Sequence, residues 1–220
     1  MLARASQTKE SPVIVWFRDD LRLADHPALQ AAVETGRPLI CVYVLDDETP
    51  ALHRLGAASR WWLHGALAEL RKSLAQHHGA LLTLHGSAET LIPALAKETG
   101  ANCVFWHHRF HAKEREQDDR IADALSQNGV SVTAEWGTVL LDPERVRTKE
   151  EKFYRVFTAF WKAFQLQDVP DPVDAPSHLS FYSVESDLLS DHRLDEQALL
   201  PTHPDWAAGL RSNWEPGETE

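Results

Sequence analysis

The chain has 220 residues, 43% hydrophobic and 25% charged, with a net charge of -11, which fits a water-soluble globular protein with room for one large domain or two small ones. The charge is uneven: residues 168–220 hold 12 Asp or Glu against 2 Lys or Arg, whereas residues 1–167 hold 21 against 20. Neither part carries the basic footprint of a phosphate-backbone binder, no apolar run approaches a membrane span, and the polar start lacks the apolar core of a secretory signal, so a cytoplasmic location is the expectation.

In chain order, residues 1–11 read as a disordered lead-in. Five short apolar runs follow, Val13–Phe17, Leu39–Leu45, Ala80–Leu84, Cys103–Trp106 and Val130–Trp136. The first four are nearly continuous, as in strands covered on both faces of a parallel sheet, while the fifth alternates and suits an edge. Helical patterns separate them. Pro27–Glu34 opens on proline behind Asp25, which is expected to cap it. Ala58–His77 carries Trp62, Leu63, Ala66, Leu67, Leu70 and Leu74 on one stripe, Ala88–Glu98 closes at Gly100, and Ala112–Gln127 stops at Asn128-Gly129. Strands alternating with helices predict an α/β domain over 12–167, a doubly wound five-stranded parallel sheet with helices on both faces.

Lys149–Gln165 places Phe153, Phe157, Phe160, Trp161 and Phe164 in helical register and predicts a helix docked on the body by its aromatic face, a face that a partner or second domain could share. From Asp168 the pattern dissolves around Pro170, Pro172 and Pro176, so 168–220 is expected to be an extended acidic linker on a surface. It ends with Thr219 placed as the N-cap of a helix about to begin, a hint of a missing second domain. Cys41 and Cys103 sit in apolar runs and read as reduced core thiols, and Trp16 and the Trp61-Trp62 pair read as core packing.

The ordinary catalytic signatures are missing. There is no Gly-x-Gly pair, P-loop, Gly-x-Ser-x-Gly elbow or His-Glu-x-x-His, and neither a Ser-Gly-Gly loop nor a His-x-Gly-His motif for adenylate transfer. His107, His108 and His111 form one cluster, but the first falls at a strand end and no acid or thiolate completes a ligand set, so no metal is expected.

Three stretches carry a family resemblance. Val15-Trp16-Phe17-Arg18-Asp19-Asp20-Leu21-Arg22-Leu23-Ala24-Asp25 through Leu29 is similar to the opening strand and loop of DNA photolyases and cryptochromes, W-F-R-x-D-L-R-L-x-D-N-x-A-L, with His26-Pro27 in place of the usual Asn and the residue after it. Lys152–Lys162 resembles that family's Y-x-V-F-T-P-F-x-K segment, with Ala159 for proline, and Leu200 to Glu218 resembles the linker into its helical domain. The resemblance implies an N-terminal α/β domain with strand order 3-2-1-4-5, holding a light-harvesting antenna chromophore (folate, deazaflavin or FMN). FAD and damaged DNA would be bound by a helical domain absent from these residues, so the chain alone is not expected to repair DNA. That strand order also puts Cys41 and Cys103 two strand spacings apart, beyond easy disulfide reach.

The same order puts the ligand crevice at the switch between the first and fourth strands. Arg18, Asp20, Asp46, His107, Arg109, Lys113 and Glu114 are the candidate antenna-binding residues. Glu114 matches the acid of pterin-binding members, where Lys113 replaces an Asn. Arg109 and His111 replace the Asp and Glu of deazaflavin-binding members. Arg18, Arg109 and Lys113 would make a cationic rim for an anionic ligand, or else are solvated loop charges. Arg22 is expected to order the loop by pairing with a carboxylate. Two other readings stay open: a stand-alone flavin- or nucleotide-binding or protein-interaction module, and the photosensory domain of a cryptochrome.

Overall fold

A computed structural model describes residues 10–50, 52–184, 190–201 and 203–218; the expected lead-in up to residue 9 and the Thr219 cap lie outside them. Five strands, β1 (Val13–Phe17), β2 (Leu39–Leu45), β3 (Leu81–His85), β4 (Cys103–His107) and β5 (Ser131–Glu135), form one sheet in the order β3-β2-β1-β4-β5. Every pairing between these strands is parallel. The helices that return the chain are α1 (Pro27–Glu34), α2 (Ala57–Gln76), α3 (Ala88–Thr99) and α4 (Ala112–Gln127).

The nearly unbroken apolar strands follow from this arrangement. Alternate residues of a strand point to opposite faces, and both faces are covered. Ile14, Trp16, Ile40, Val42, Val104 and Trp106 meet Leu91, Ile92 and Leu95 of α3 and Ile121 and Leu125 of α4 in one core. Val13, Val15, Phe17, Cys41 and Phe105 meet Ala28 and Leu29 of α1 and Leu63, Leu67, Leu70 and Leu74 of α2 in the other. β5 is only half-buried, as an edge should be. Register sets Cys41 beside Val15 and Cys103 beside Val13, on opposite sides of β1, and both thiols are free.

The described residues 168–184, 190–201 and 203–218 meet the body at several anchor points. The Leu39 N–H donates to the Ser180 carbonyl and the Tyr182 N–H to that of Leu39, extending the sheet where β3 has not yet begun. Phe181 lies so close over Gly79 that a Cβ there would fall 2.3 Å from its ring, so any side chain larger than hydrogen would displace it. Arg193 bridges Leu84 on the outer edge of β3, Glu196 pairs with Arg71, and Leu199 is buried. This cover also blunts an edge strand that would otherwise offer free N–H and C=O groups. A short helix, α6 (Ala208–Arg211), follows.

Two local expectations are corrected. The helix expected over 149–165 is only α5, Phe157–Phe164. Upstream, the Thr148 hydroxyl accepts from the N–H groups of Glu150 and Lys152 and Glu151 takes a left-handed φ of 57°, so a side-chain-stabilised turn replaces two helical turns. Nor is α5 docked by its aromatic face, for none of its residues is buried. The cap of α1 is His26, whose Nδ1 accepts from the Leu29 N–H at 3.0 Å. Asp25 instead adopts a left-handed φ of 49° and its carboxylate accepts from the Val173 N–H. Among the described residues no helix is long and apolar enough to cross a membrane.

Candidate functional site: a crevice at the strand switch

The chain leaves β1 and β4 toward opposite faces of the sheet, which opens a crevice beyond their carboxyl ends. Arg18 is the first residue past β1 and is buried there. Its guanidinium donates to Asp118 Oδ1 at 2.7 Å and to the His107 carbonyl, and lies 4.6 Å from the centre of the Trp16 ring. Burial pulls its pKa down to about 10, against the attraction of Asp118. Arg109, past β4, reaches the same Asp118 carboxylate, the Gln117 side-chain oxygen at 2.8 Å and the Glu114 carbonyl, and stands 5.6 Å from the Trp16 ring. Two guanidiniums therefore share one carboxylate beside a buried indole, which a perpendicular Trp106 backs at 5.6 Å.

Beside this lies a second buried polar group. Asp20 accepts from the Arg18 N–H at 2.6 Å, and its Oδ2 faces His107 Nδ1 at 2.5 Å and His26 Nε2 at 3.5 Å. Burial would raise the Asp20 carboxyl, but the His107 hydrogen bond, the charge of His26 and the Arg18 N–H outweigh it and bring it to about 2. Burial pulls His26 down to about 4, further than Asp20 lifts it.

Asp20, His26 and His107 are the described group with ligand atoms close enough for a metal, so the fit of an ion can be tested on their protons. The outer nitrogen of each ring accepts a backbone N–H, Leu29 to His26 Nδ1 and Ala28 to His107 Nε2. A neutral imidazole holds one proton, so the inner nitrogens are N–H donors and aim at a carboxylate acceptor. A metal would need those lone pairs, so the set fits hydrogen bonding better than an ion.

Gly137 is what lets the His107 ring sit there, since a Cβ at 137 would fall 2.2 Å from it. Gly137→Ala is expected to destabilise the fold by about 1–3 kcal/mol through overpacking. A urea midpoint unchanged from the wild type would show that the 137 loop yields freely.

Three adjoining hollows share Arg18 and Asp19. The first, about 490 Å³, has an apolar wall of Tyr43, Leu55, Trp62 and Leu63 and a polar edge of Asp19, Ser59 and Glu218. The second, about 310 Å³, runs past His108, His111 and Glu114. The third, about 100 Å³, lies over Trp16, Asp46 and Gln117. Glu218 closes one end of the first, its carboxylate accepting from the N–H groups of Leu23 and Ala24 at 2.8 and 2.6 Å.

Of the residues named from sequence, Arg18, Asp20, Asp46, His107, Arg109 and Glu114 come together around these hollows. Lys113 does not; it is exposed and pairs with Glu116 at 2.7 Å. Asp46 is saturated, accepting from the N–H groups of Glu48, Thr49 and Ala88, the Thr49 hydroxyl and the Gln117 amide. Burial opposes its ionisation, but those donors prevail and lower its pKa. Arg22 orders the loop as expected, pairing with the Asp25 carboxylate at 3.9 Å and donating to the carbonyls of Ala24, Asp25 and Gly137. His108 stacks on Trp136 at 4.2 Å and takes no part with His107. Sequence reasoning passed over His26, Gln117 and Asp118; the signal for His26 was its place where the family pattern carries Asn.

The DNA photolyase family model matches residues 13–177. A deoxyribodipyrimidine photo-lyase of Agrobacterium fabrum is 42% identical over 212 residues, 96% of this chain and 43% of its own. The crystal structure of a bacterial class III photolyase from Agrobacterium tumefaciens superposes with a TM-score of 0.84 at 41% identity, covering 98% of this chain and 44% of that one. Cryptochrome-1 of Arabidopsis thaliana is 36% identical over 151 residues, 68% of this chain and 22% of its own. The chain thus spans less than half the length of each.

Proposed function

Since this chain belongs to the DNA photolyase family, we propose that its crevice holds a light-absorbing antenna chromophore and that the chain acts as the light-harvesting domain of a photolyase-like protein. The energy acceptor would be FAD in the helical domain that the family resemblance assigns to the rest of such a protein, and damaged DNA would be met only through that domain. The observation that carries the reading is the hollow of about 490 Å³ between the carboxyl end of β1 and α2, next to the strand switch, within the range of about 300–1,000 Å³ usual for small-molecule sites. Its lining supports a planar aromatic guest. Tyr43, Leu55, Trp62 and Leu63 offer apolar contact, and Asp19 and Ser59 offer polar contact at the edge.

The charges around it bear on which chromophore. Arg18 and Arg109 are committed to Asp118, and Lys113 stands outside with Glu116. The carboxylates of Asp19 and Glu114 lie along the hollows, where Asp47 is held by Arg60 at 2.6 Å. A heterocycle that presents N–H donors to these carboxylates is favoured at the edge of the crevice. Folate, deazaflavin and FMN all present such donors and stand together as the proposed ligands.

Purified protein mixed with folate, deazaflavin or FMN is expected to retain one of them, read as near-UV to blue absorbance that survives gel filtration. Ser59→Trp, an exposed position on the hollow, should then weaken binding by at least about tenfold without touching the core. Retention of none would remove the antenna role, and binding indifferent to the tryptophan would move the site elsewhere. The cryptochrome reading uses the same crevice and differs in what receives the energy.

A further inference from the structure

Residues 214–218 follow α6 and cross α2 at Trp62 and Gly65. The Trp214 ring meets Trp62 with centroids 6.0 Å apart and planes at 67°, an edge-on arrangement that aromatic pairs favour. Pro216 lies directly on Gly65, where a Cβ would fall 2.8 Å from the proline ring. Glu218 then reaches the loop between β1 and α1 and accepts from the N–H groups of Leu23 and Ala24 at 2.8 and 2.6 Å. Among the described residues, these are the only hydrogen bonds that 215–218 make.

The same segment stands between two hollows of about 490 Å³ each. Gly217 and Glu218 line the first, together with Leu21, Arg22 and Trp62. Trp214, Glu215 and Pro216 line the other, together with Trp61 and His64. With the segment lifted, the two would run together and the first would lose its end wall. The loop that Glu218 holds is also the one that carries Arg18, Asp19 and Asp20 into the crevice. One carboxylate therefore fixes two parts of the same hollow, its end and its loop.

We propose that Glu218 is a positioning residue of the chromophore site: its carboxylate latches residues 214–218 as a clamp over the hollow, so that guest binding and clamp docking strengthen each other. This rests on the reading of the hollow as the antenna site. A carboxylate suits the task. Each of its oxygens takes one backbone N–H, and hydrogen bonds to a charged acceptor are roughly twice as strong as neutral ones. None of residues 214–218 is buried, so the clamp can open without disturbing the core. By reciprocity, the latch tightens the guest by the same factor as the guest tightens the latch.

The test takes the full chain with folate, deazaflavin and FMN as probes, titrated separately and read by quenching of tryptophan fluorescence. A second readout needs no guest: amide hydrogen exchange at Leu23 and Ala24. Glu218→Ala is expected to speed that exchange and to leave the urea midpoint near the wild type. It should weaken whichever probe binds by about 10- to 100-fold, the scale of hydrogen bonds to a charged group. Glu218→Gln keeps one acceptor oxygen but turns an NH2 donor toward the second N–H, and should fall between. Glu215→Ala removes an equal charge from the same segment without breaking a hydrogen bond, and should bind like the wild type. In the wild type, a bound probe should slow exchange at both amides.

Faster exchange in Glu218→Ala with unchanged affinity overturns the proposal and leaves the antenna reading standing. Unchanged exchange in that variant overturns it as well, because the latch is then not made. An equal loss of affinity in Glu215→Ala would make the effect one of net charge and is a third refutation. If the wild type binds none of the three probes, the antenna reading falls and the role of Glu218 in it falls too.

Discussion

Asp118→Ala is expected to lower folding stability by about 3–5 kcal/mol, the cost of leaving a buried charge without its partner. Asp118 sits on α4, and its carboxylate is the common acceptor for Arg18 and Arg109, with 12% of the side chain exposed against 9% and 13% for the two arginines. Low exposure separates this group from the chain's surface pairs. Lys113–Glu116 and Lys72–Glu69 are open to water, and pairs of that kind contribute about 0–1 kcal/mol. With Asp118 gone, the Arg18 guanidinium keeps only the His107 carbonyl, while Arg109 keeps Gln117 and the Glu114 carbonyl, so two cations confront each other beside Trp16. Urea denaturation of Asp118→Ala beside Lys113→Ala measures the contrast. A loss below about 1 kcal/mol for Asp118→Ala would mean that water already reaches the arginines and that the crevice floor is looser than its geometry implies.

The strands could be read from the sequence because burial on both faces leaves no polar alternation to mislead. β1 and β2 have the expected ends to the residue. α1 and α4 also end as expected, where Pro27 and Asn128-Gly129 act locally. The failure at 149–156 has the opposite cause: aromatic residues at helical spacing are compatible with a helix but do not compel one, and a threonine hydroxyl bonded to two backbone N–H groups decides in favour of a turn.

The site was legible in outline only. Strand order brings Arg18, Asp20, His107 and Arg109 to one crevice, and that order came with the family pattern rather than from hydrophobic periodicity. Pairings across long separations, Arg18 with Asp118 and His26 with His107, have no local signature. Lys113 is different, because its exposure was within reach of sequence reasoning. Glu114, Gln117, Asp118, Ile121 and Leu125 recur at three- and four-residue steps and define the inward face of α4, which leaves 113, 116 and 120 on the outward one. A charge chosen for its position in an alignment of motifs needs that helical check before it is given a role.

The His26 cap makes a second large effect, this time in pH. The unfolded imidazole titrates near 6.5 and the folded one near 4, so above pH 6.5 both states hold it neutral and it contributes no pH dependence. Between 6.5 and 4 the unfolded chain takes up a proton that the folded chain refuses, and stability falls as pH falls, by up to about 1.4 kcal/mol per unit and on the order of 3 kcal/mol across the window. Asp20 acts in a lower window. Its carboxyl is held at about 2 against 3.8, so its contribution is present above 3.8 and is lost as pH falls toward 2. The geometry gives the reason for the refusal. A proton on His26 Nδ1 would turn the acceptor that caps α1 into a donor facing the Leu29 N–H, beside Arg22 and the His107 ring 4.1 Å away, with Asp20 as the nearby counter-charge. His26→Asn keeps a side-chain oxygen for the cap and removes the titration. It also loses the ring contacts with Phe17 and His107, so slopes rather than absolute stabilities carry the comparison. Chemical denaturation at intervals from pH 7.5 to pH 4 should give a wild-type curve that drops more steeply than that of the variant by close to one proton's worth, with the difference confined to the window below pH 6.5. His108, lowered mainly by burial, remains in both proteins and cancels. Parallel curves would mean that His26 accepts its proton in the folded state, and the Asp20–His26–His107 cluster would then carry a cation in place of the neutral rings its hydrogen bonds describe.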